Sequence, residues 1–137
     1  MRITADTNIY VSAFQFGGKP LELLELARAG AIQLTVSEPI LEELKGVLKH
    51  KFQRSDEDLR AIEEQVRSFA EVVTPTRTLD VIKDDPPDNR ILECAETGKS
   101  AYIVSGDLDL LRLQQYGQSR ILRVADFLKV LEQGKAR

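Results

Sequence analysis

Cysteine, histidine and tryptophan are almost absent: the chain has one cysteine, Cys94, one histidine, His50, and no tryptophan. A single thiol cannot close an internal disulfide, which excludes a stapled secreted scaffold. Zinc centres built on paired Cys and His side chains go with it, because His50 and Cys94 stand far apart with no ligand spacing around them. Charge of one sign is scarce too. Nineteen basic against 22 acidic residues leave a net charge of -3, so any nucleic-acid contact has to be local rather than the work of a polybasic chain. No run approaches the ~20 apolar residues that span a bilayer. The start, MRITADTNIY, lacks a basic segment followed by an apolar one, so the expected location is the cytoplasm. A glycine-rich phosphate loop is missing, and without a well-placed histidine a nucleophilic triad has little support.

What is present is enough for one packed core: 137 residues, 42% of them hydrophobic. The expectation is a single domain over residues 1–132 with a short C-terminal tail, 133–137. Three β-type runs, Ile3 to Ala5, Ile32 to Val36 and Ala101 to Val104, alternate with longer segments of helical apolar spacing, the pattern of an α/β fold with a mainly parallel sheet. Further strands are expected at Glu71 to Val73 and Arg120 to Arg123, the second followed by a helix around Val124 to Glu132. Ser55 and Asp58 form a capping arrangement ahead of Leu59, Ile62, Val66 and Phe69, whose spacing predicts a helix from about Asp56 to Ala70. A helix through Leu21, Leu24 and Ala27 can be ended by Gly30 in a left-handed cap.

The acids fall where chemistry would need them. Asp6 follows the first strand directly, at the carboxyl end where open α/β sheets bind ligands, although Asp6 or Thr7 could equally cap the following helix. In SEPILEELKGVL, Ile40, Leu41, Leu44, Val47 and Leu48 define a buried helix face; Glu42 points away from it, while Glu43 lies at its border and can reach inward. A solvated position for both glutamates, with Glu38 favouring the helix N-terminus, is the alternative. Asp88 precedes Ile91, Leu92 and Ala95 by three, four and seven residues, which puts a carboxylate on an apolar helix face; alternatively Asp85 is the N-cap and Asp88 a first-turn acid. Asp107 and Asp109 follow the strand-like AYIVS and repeat the placement of Asp6, with capping again the alternative.

One cleft could collect these acids, and there they would repel each other unless a hard divalent cation neutralised them. Mg2+ or Mn2+ prefers oxygen ligands and keeps waters, which suits metal-assisted phosphodiester hydrolysis.

In order and spacing, DTN at Asp6 to Asn8, SEPILEEL with Glu43, DPPDNRILECA with Asp88, VSGDLDLL with Asp107 and Asp109, and ILRVADFL resemble the PIN domain. Within that family the likeness is to the toxin components of toxin–antitoxin pairs, related to VapC ribonucleases, and it spans nearly the whole chain. It implies an α/β/α sandwich around a mainly parallel sheet, and an acidic site holding Mg2+ or Mn2+ for cleavage of single-stranded RNA. Carried over residue by residue, the catalytic set is Asp6, Glu43, Asp88, Asp107 and Asp109. Asp6, Asp88 and Asp107 hold the metal directly or through water, and Glu43 and Asp109 complete the shell or orient the attacking water. Ser105 occupies a small-hydroxyl position that is often Thr in the family, and Asn8 is an auxiliary residue beside Asp6. Pro87 replaces a position commonly polar in relatives. A cognate antitoxin and a homodimer are further implications.

Lys45, Lys49, His50, Lys51 and Arg54 lie in a stretch without acids just after Glu43 and could guide an RNA backbone; cations near a helix C-terminus also answer the macrodipole. Two other functions fit the same residues: a metal-dependent phosphohydrolase of small phosphate esters, and a catalytically silent module that binds RNA or protein.

Overall fold

Ile3, Thr4 and Ala5 are completely buried, as residues of a strand covered on both faces must be, and they form β1 (Arg2–Ala5) at the centre of the sheet. The computed structural model describes residues 1–135; Ala136 and Arg137, the end of the expected tail, lie outside the described residues. After β1 the chain forms α1 (Thr7–Phe16), α2 (Gly18–Arg28), β2 (Gln33–Val36), α3 (Glu38–Phe52), α4 (Asp56–Phe69) and β3 (Ala70–Val72). It continues through α5 (Asp88–Gly98), β4 (Tyr102–Val104), α6 (Leu108–Leu113), β5 (Gln115–Tyr116), β6 (Ser119–Leu122) and α7 (Val124–Lys135). The sheet order is β3-β2-β1-β4-β6-β5, parallel throughout except for the β5–β6 hairpin, and helices flank it.

This order positions the site. From β1 the chain moves to β2 on one side and later returns to β4 on the other, with Ile3 facing Leu34 in one register and Tyr102 in the other. The connections therefore part at the carboxyl ends of β1 and β4, which opens a crevice there. Asp6 immediately follows β1, and Ser105 to Asp107 immediately follow β4.

The two faces of β1 differ chemically. Ile3 joins the main apolar core with Leu34, Val36 and Leu44. Thr4 belongs to a buried triangle of hydroxyls, with its Oγ1 2.7 Å from both Thr35 Oγ1 and Ser100 Oγ, and those two 3.1 Å apart. Each hydroxyl both donates and accepts, so the triangle satisfies itself without water. The C-terminal turn of α5 lies directly over it: a Cβ on Gly98 would sit 3.0 Å from the Thr35 side chain, so any larger residue would need Thr35 or the helix to give way.

Several boundaries differ from the sequence pattern for local reasons. Helix α4 ends at Phe69 and Ala70 is already extended, so β3 starts one residue earlier than expected; Val73 still donates to Val36 O at 2.8 Å. Ile32 is buried in the turn before β2 rather than within it. The short strand β5 carries no apolar alternation; a tight turn at Gly117, with φ of 57°, folds it back on β6. Helix α7 runs on to Lys135, beyond the expected stop near Glu132.

Candidate active site

Asp6 is the N-cap of α1 and is only 4% exposed. One carboxylate oxygen, Oδ1, accepts the Ile9 amide at 3.0 Å, and the other accepts the Ser105 hydroxyl. Ser105 Oγ in turn accepts the Asp107 amide at 2.9 Å, so one buried hydroxyl ties the acid after β1 to the acid after β4. Asp107 caps α6 through Oδ1 and the Asp109 amide, 2.8 Å away. Asp6 and Asp107 thus do cap helices, and the capping does not withdraw them from the crevice.

Asp88 opens α5 and meets these groups from the other wall. Asp6, Thr7, Asn8, Glu43, Asp88 and Ile91 line one pocket, with Asn8 and Glu43 at its exposed rim. Asp85, Asp88, Asp107 and Asp109 each offer an oxygen to a second group, all within 4.8 Å of one another. Asp88 belongs to both, so it links the close group of four acids to the pocket that Asp6 and Glu43 line, while Asp6 and Glu43 themselves stand outside the group of four. Glu42 points elsewhere and pairs with Lys45 at 3.0 Å.

Burial and mutual repulsion act on these acids together. Burial pushes the Asp6 carboxyl up to about 6, against the lowering effect of its bonds from Ser105 and Ile9, and the charge of Asp107 adds to the rise. Asp88 is also driven upward, first by desolvation and then by the charges of Asp107 and Asp85. Desolvation raises Glu43 as well, while the Thr7 hydroxyl lowers it. The Asp88 Oδ2 atom is buried with no hydrogen-bond partner. A buried lone pair left unpaired beside other anions is costly. Carboxylate oxygens without His or Cys make a donor set for a hard cation such as Mg2+ or Mn2+, and the orphaned Asp88 oxygen fits that group. Cys94 is on the buried face of α5, with its Sγ 4.0 Å from Thr35 Oγ1, outside the cluster.

Asp85 is the acid that sequence reasoning assigns only to capping. Helix α5 begins at Asp88 after a turn through Pro86 and Pro87; the Asp85 carbonyl accepts the Asp88 amide at 3.0 Å, and the cap position, Pro87, offers no side-chain bond. The Asp85 carboxylate is thereby available to the cluster. The available signal is the three-residue spacing of Asp85 and Asp88, which a turn through the two prolines is able to bring to one side. Asn89 holds this segment in place: its Oδ1 accepts the Val81 and Ile82 amides, both at 2.9 Å, and its Nδ2 donates to Ile82 O at 2.9 Å and Pro86 O at 3.0 Å.

The basic stretch after Glu43 is partly occupied. Lys45 pairs with Glu42 and, at 2.9 Å, with Glu63. Arg54 donates to Gln15 at 2.7 Å and to Phe14 O at 3.1 Å, and lies 3.7 Å from Asp58. Lys49 stands 3.8 Å from Asp56. Lys51 has no ion pair among the described residues.

A search of characterised protein sequences returns no match. Among solved structures, the chain is similar to one in the crystal structure of VapBC2 from Rickettsia felis bound to a DNA fragment from their promoter. The TM-score is 0.64 with 16% identity, over 90% of this chain and 98% of that one, which is a likeness of fold. The PIN domain family matches residues 2–109, a span that runs from β1 to the second acid of α6 and includes every carboxylate of the cluster. The chain belongs to the PIN domain family.

Proposed function

We propose that this protein is a ribonuclease that uses Mg2+ or Mn2+ to hydrolyse phosphodiester bonds of single-stranded RNA. Its place is in the cytoplasm, as the toxin of a type II toxin–antitoxin pair. The observation that carries the reading is the buried, unpartnered oxygen of Asp88, a residue whose carboxylate lies within 4.8 Å of those of Asp85, Asp107 and Asp109, an arrangement that a cation would relieve. The toxin role and a cognate antitoxin draw support from the fold likeness to a chain of the VapBC2 structure, and a homodimer only from the family resemblance of the sequence.

Asp6, Asp88 and Asp107 would hold the cation, directly or through water, and Asp109 with Asp85 would complete the shell. When bound, the cation supplies positive charge against the phosphoryl oxygens, where negative charge accumulates during displacement. Asp6 is fixed by the Ile9 amide and the Ser105 hydroxyl, and Ser105 holds the Asp107 backbone, so the acids from two strands keep one relative position. Glu43 approaches from the exposed rim, where water enters. It orients the attacking water and takes its proton as the water oxygen bonds to phosphorus; the departing ribose oxygen is protonated by solvent. Asn8 lies at the same rim, placed to steady that water.

Incubating the purified protein with end-labelled single-stranded RNA, with Mn2+ or with EDTA, tests the reading. Internal cuts that need the metal and disappear in Asp6→Asn are expected. Cleavage that resists EDTA, or turnover confined to small phosphate esters, would refute it.

A further inference from the structure

The ends of α1 and α3 carry a feature the acidic site does not use. Phe16, the last residue of α1, is 74% exposed, and it meets Phe52, the last residue of α3, edge-on with ring centroids 5.9 Å apart. Both helices start at the acidic pocket, α1 directly after Asp6 and α3 with Glu43 in its second turn. At 1.5 Å per residue, the pair stands about 15 Å along the helices from the acids.

The segments that carry the rings are rich in cations and free of acids, although Asp56 and Asp58 stand close by on α4. Residues 7–21 and 44–55 contain no Asp or Glu, in a chain whose net charge is -3. Lys49 and Arg54 are answered by Asp56 and Asp58 of the neighbouring helix, but Lys51, next to Phe52, and Lys19, three residues after Phe16, have no ion pair among the described residues. Arg54 bridges the two helix ends by donating to Gln15 and Phe14 O, which fixes the rings' supports relative to each other. An exposed aromatic surface flanked by free cations suits a flexible polyanion with flat apolar faces, the combination that single-stranded nucleic acid presents.

We propose that Phe16 and Phe52, with Lys51 and Lys19, form a stacking platform for unpaired bases of a single-stranded RNA whose scissile phosphate lies in the acidic pocket. The proposal rests on the nuclease reading and adds a contact that selects for strands long enough to reach from the acids to the helix ends. A dinucleotide is too short to use it.

Fluorescence anisotropy of a labelled single-stranded RNA 12-mer in EDTA, where nothing is cut, measures the platform alone. Phe16→Ala should weaken binding about tenfold, as loss of one base–aromatic stack does. Phe16→Trp should restore it, and Lys51→Glu should weaken it and flatten its salt dependence. Unchanged affinity in Phe16→Ala, or no binding by the unaltered protein, overturns the proposal. So does a Phe16→Ala variant that keeps RNA affinity and changes only its sedimentation, because the rings then cover a protein surface. Cleavage with Mn2+ separates this result from the nuclease reading. If the 12-mer is cut normally by Phe16→Ala and its affinity is unchanged, only the platform fails; if affinity drops and no protein cuts RNA, only the nuclease reading fails.

Discussion

Replacing Asp6 with asparagine should stabilise the metal-free protein, by an amount that depends on pH in a defined way. Burial raises this carboxyl from its ordinary 3.8 to about 6. Between those two values the native state keeps a proton that the unfolded chain has released, so stability falls as pH rises through that window and levels off above it. The gap corresponds to about 3 kcal/mol, an upper figure for what the ionised form costs. Asparagine stays neutral throughout. Its Oδ1 can still accept the Ile9 amide, and its Nδ2 can donate to Ser105 Oγ, reversing one bond without losing it. Urea unfolding in EDTA at pH 4.5, 5.5, 6.5 and 7.5 should show Asp6→Asn gaining on the unaltered protein by about 2 kcal/mol across the series, nearly all of it by pH 6.5. The other acids titrate in both proteins and cancel in the difference to the extent that they are independent of Asp6. A difference that does not change with pH, or an unaltered protein that is the more stable at pH 7.5, would refute the claim that Asp6 is held in place at a cost to the fold.

The same reasoning gives a metal response. Millimolar Mn2+ should raise the melting temperature at pH 8 and much less at pH 5, because protons occupy Asp6 and Asp88 at the lower pH; equal shifts by thermal scan would contradict it. Gly98→Ala should lower stability by about 1 to 3 kcal/mol, as overpacking does, since the new methyl meets Thr35 at 3.0 Å; urea midpoints decide, and a stabilised variant would show that α5 can shift. Asn89→Ala should expose the Val81 and Ile82 amides to rapid hydrogen exchange and weaken Mn2+ binding through a loosened Asp85 segment, and unchanged exchange would rule this out.

How far the molecule is legible in its sequence differs by element. The strands β1, β2 and β4 are plain because each is a short β-type run between helical segments, and Asp6 and Asp107 stand out because an acid directly after such a run lies at the sheet's carboxyl edge. Glu43 is separable from Glu42 by helical angle alone, since the five apolar residues around them fix which side faces in. Asp85 is hidden by its prolines: they suggest a helix start, and the sequence does not say that the turn they make leaves the Asp85 side chain facing Asp88. Strand β5 is illegible because two polar residues carry no alternation and only the Gly117 turn brings them to β6. The basic stretch misleads in part because sequence cannot show that Lys45 and Arg54 have partners on other helices, Glu63 and Gln15.

Two of the acids have a double duty that bears on why the site can exist without unfolding the sheet around it. A helix N-terminus presents unpaired amides and partial positive charge, so an aspartate placed there gains back some of what desolvation takes. Asp6 caps α1 and Asp107 caps α6, and both helices start at the crevice because parallel strands deliver their following helices there. Asp88 sits in the first turn of α5 and receives the same dipole, but its Oδ2 has no donor. The local fold therefore compensates two acids with direct hydrogen bonds and leaves one oxygen of the third, the residue common to both groups, without a donor. On electrostatic grounds the strongest pull on a cation comes from that uncompensated oxygen. Asp88→Asn should accordingly lose more Mn2+ affinity in calorimetry than Asp107→Asn, and the reverse order would mean that capping does not set how strongly each acid attracts the ion.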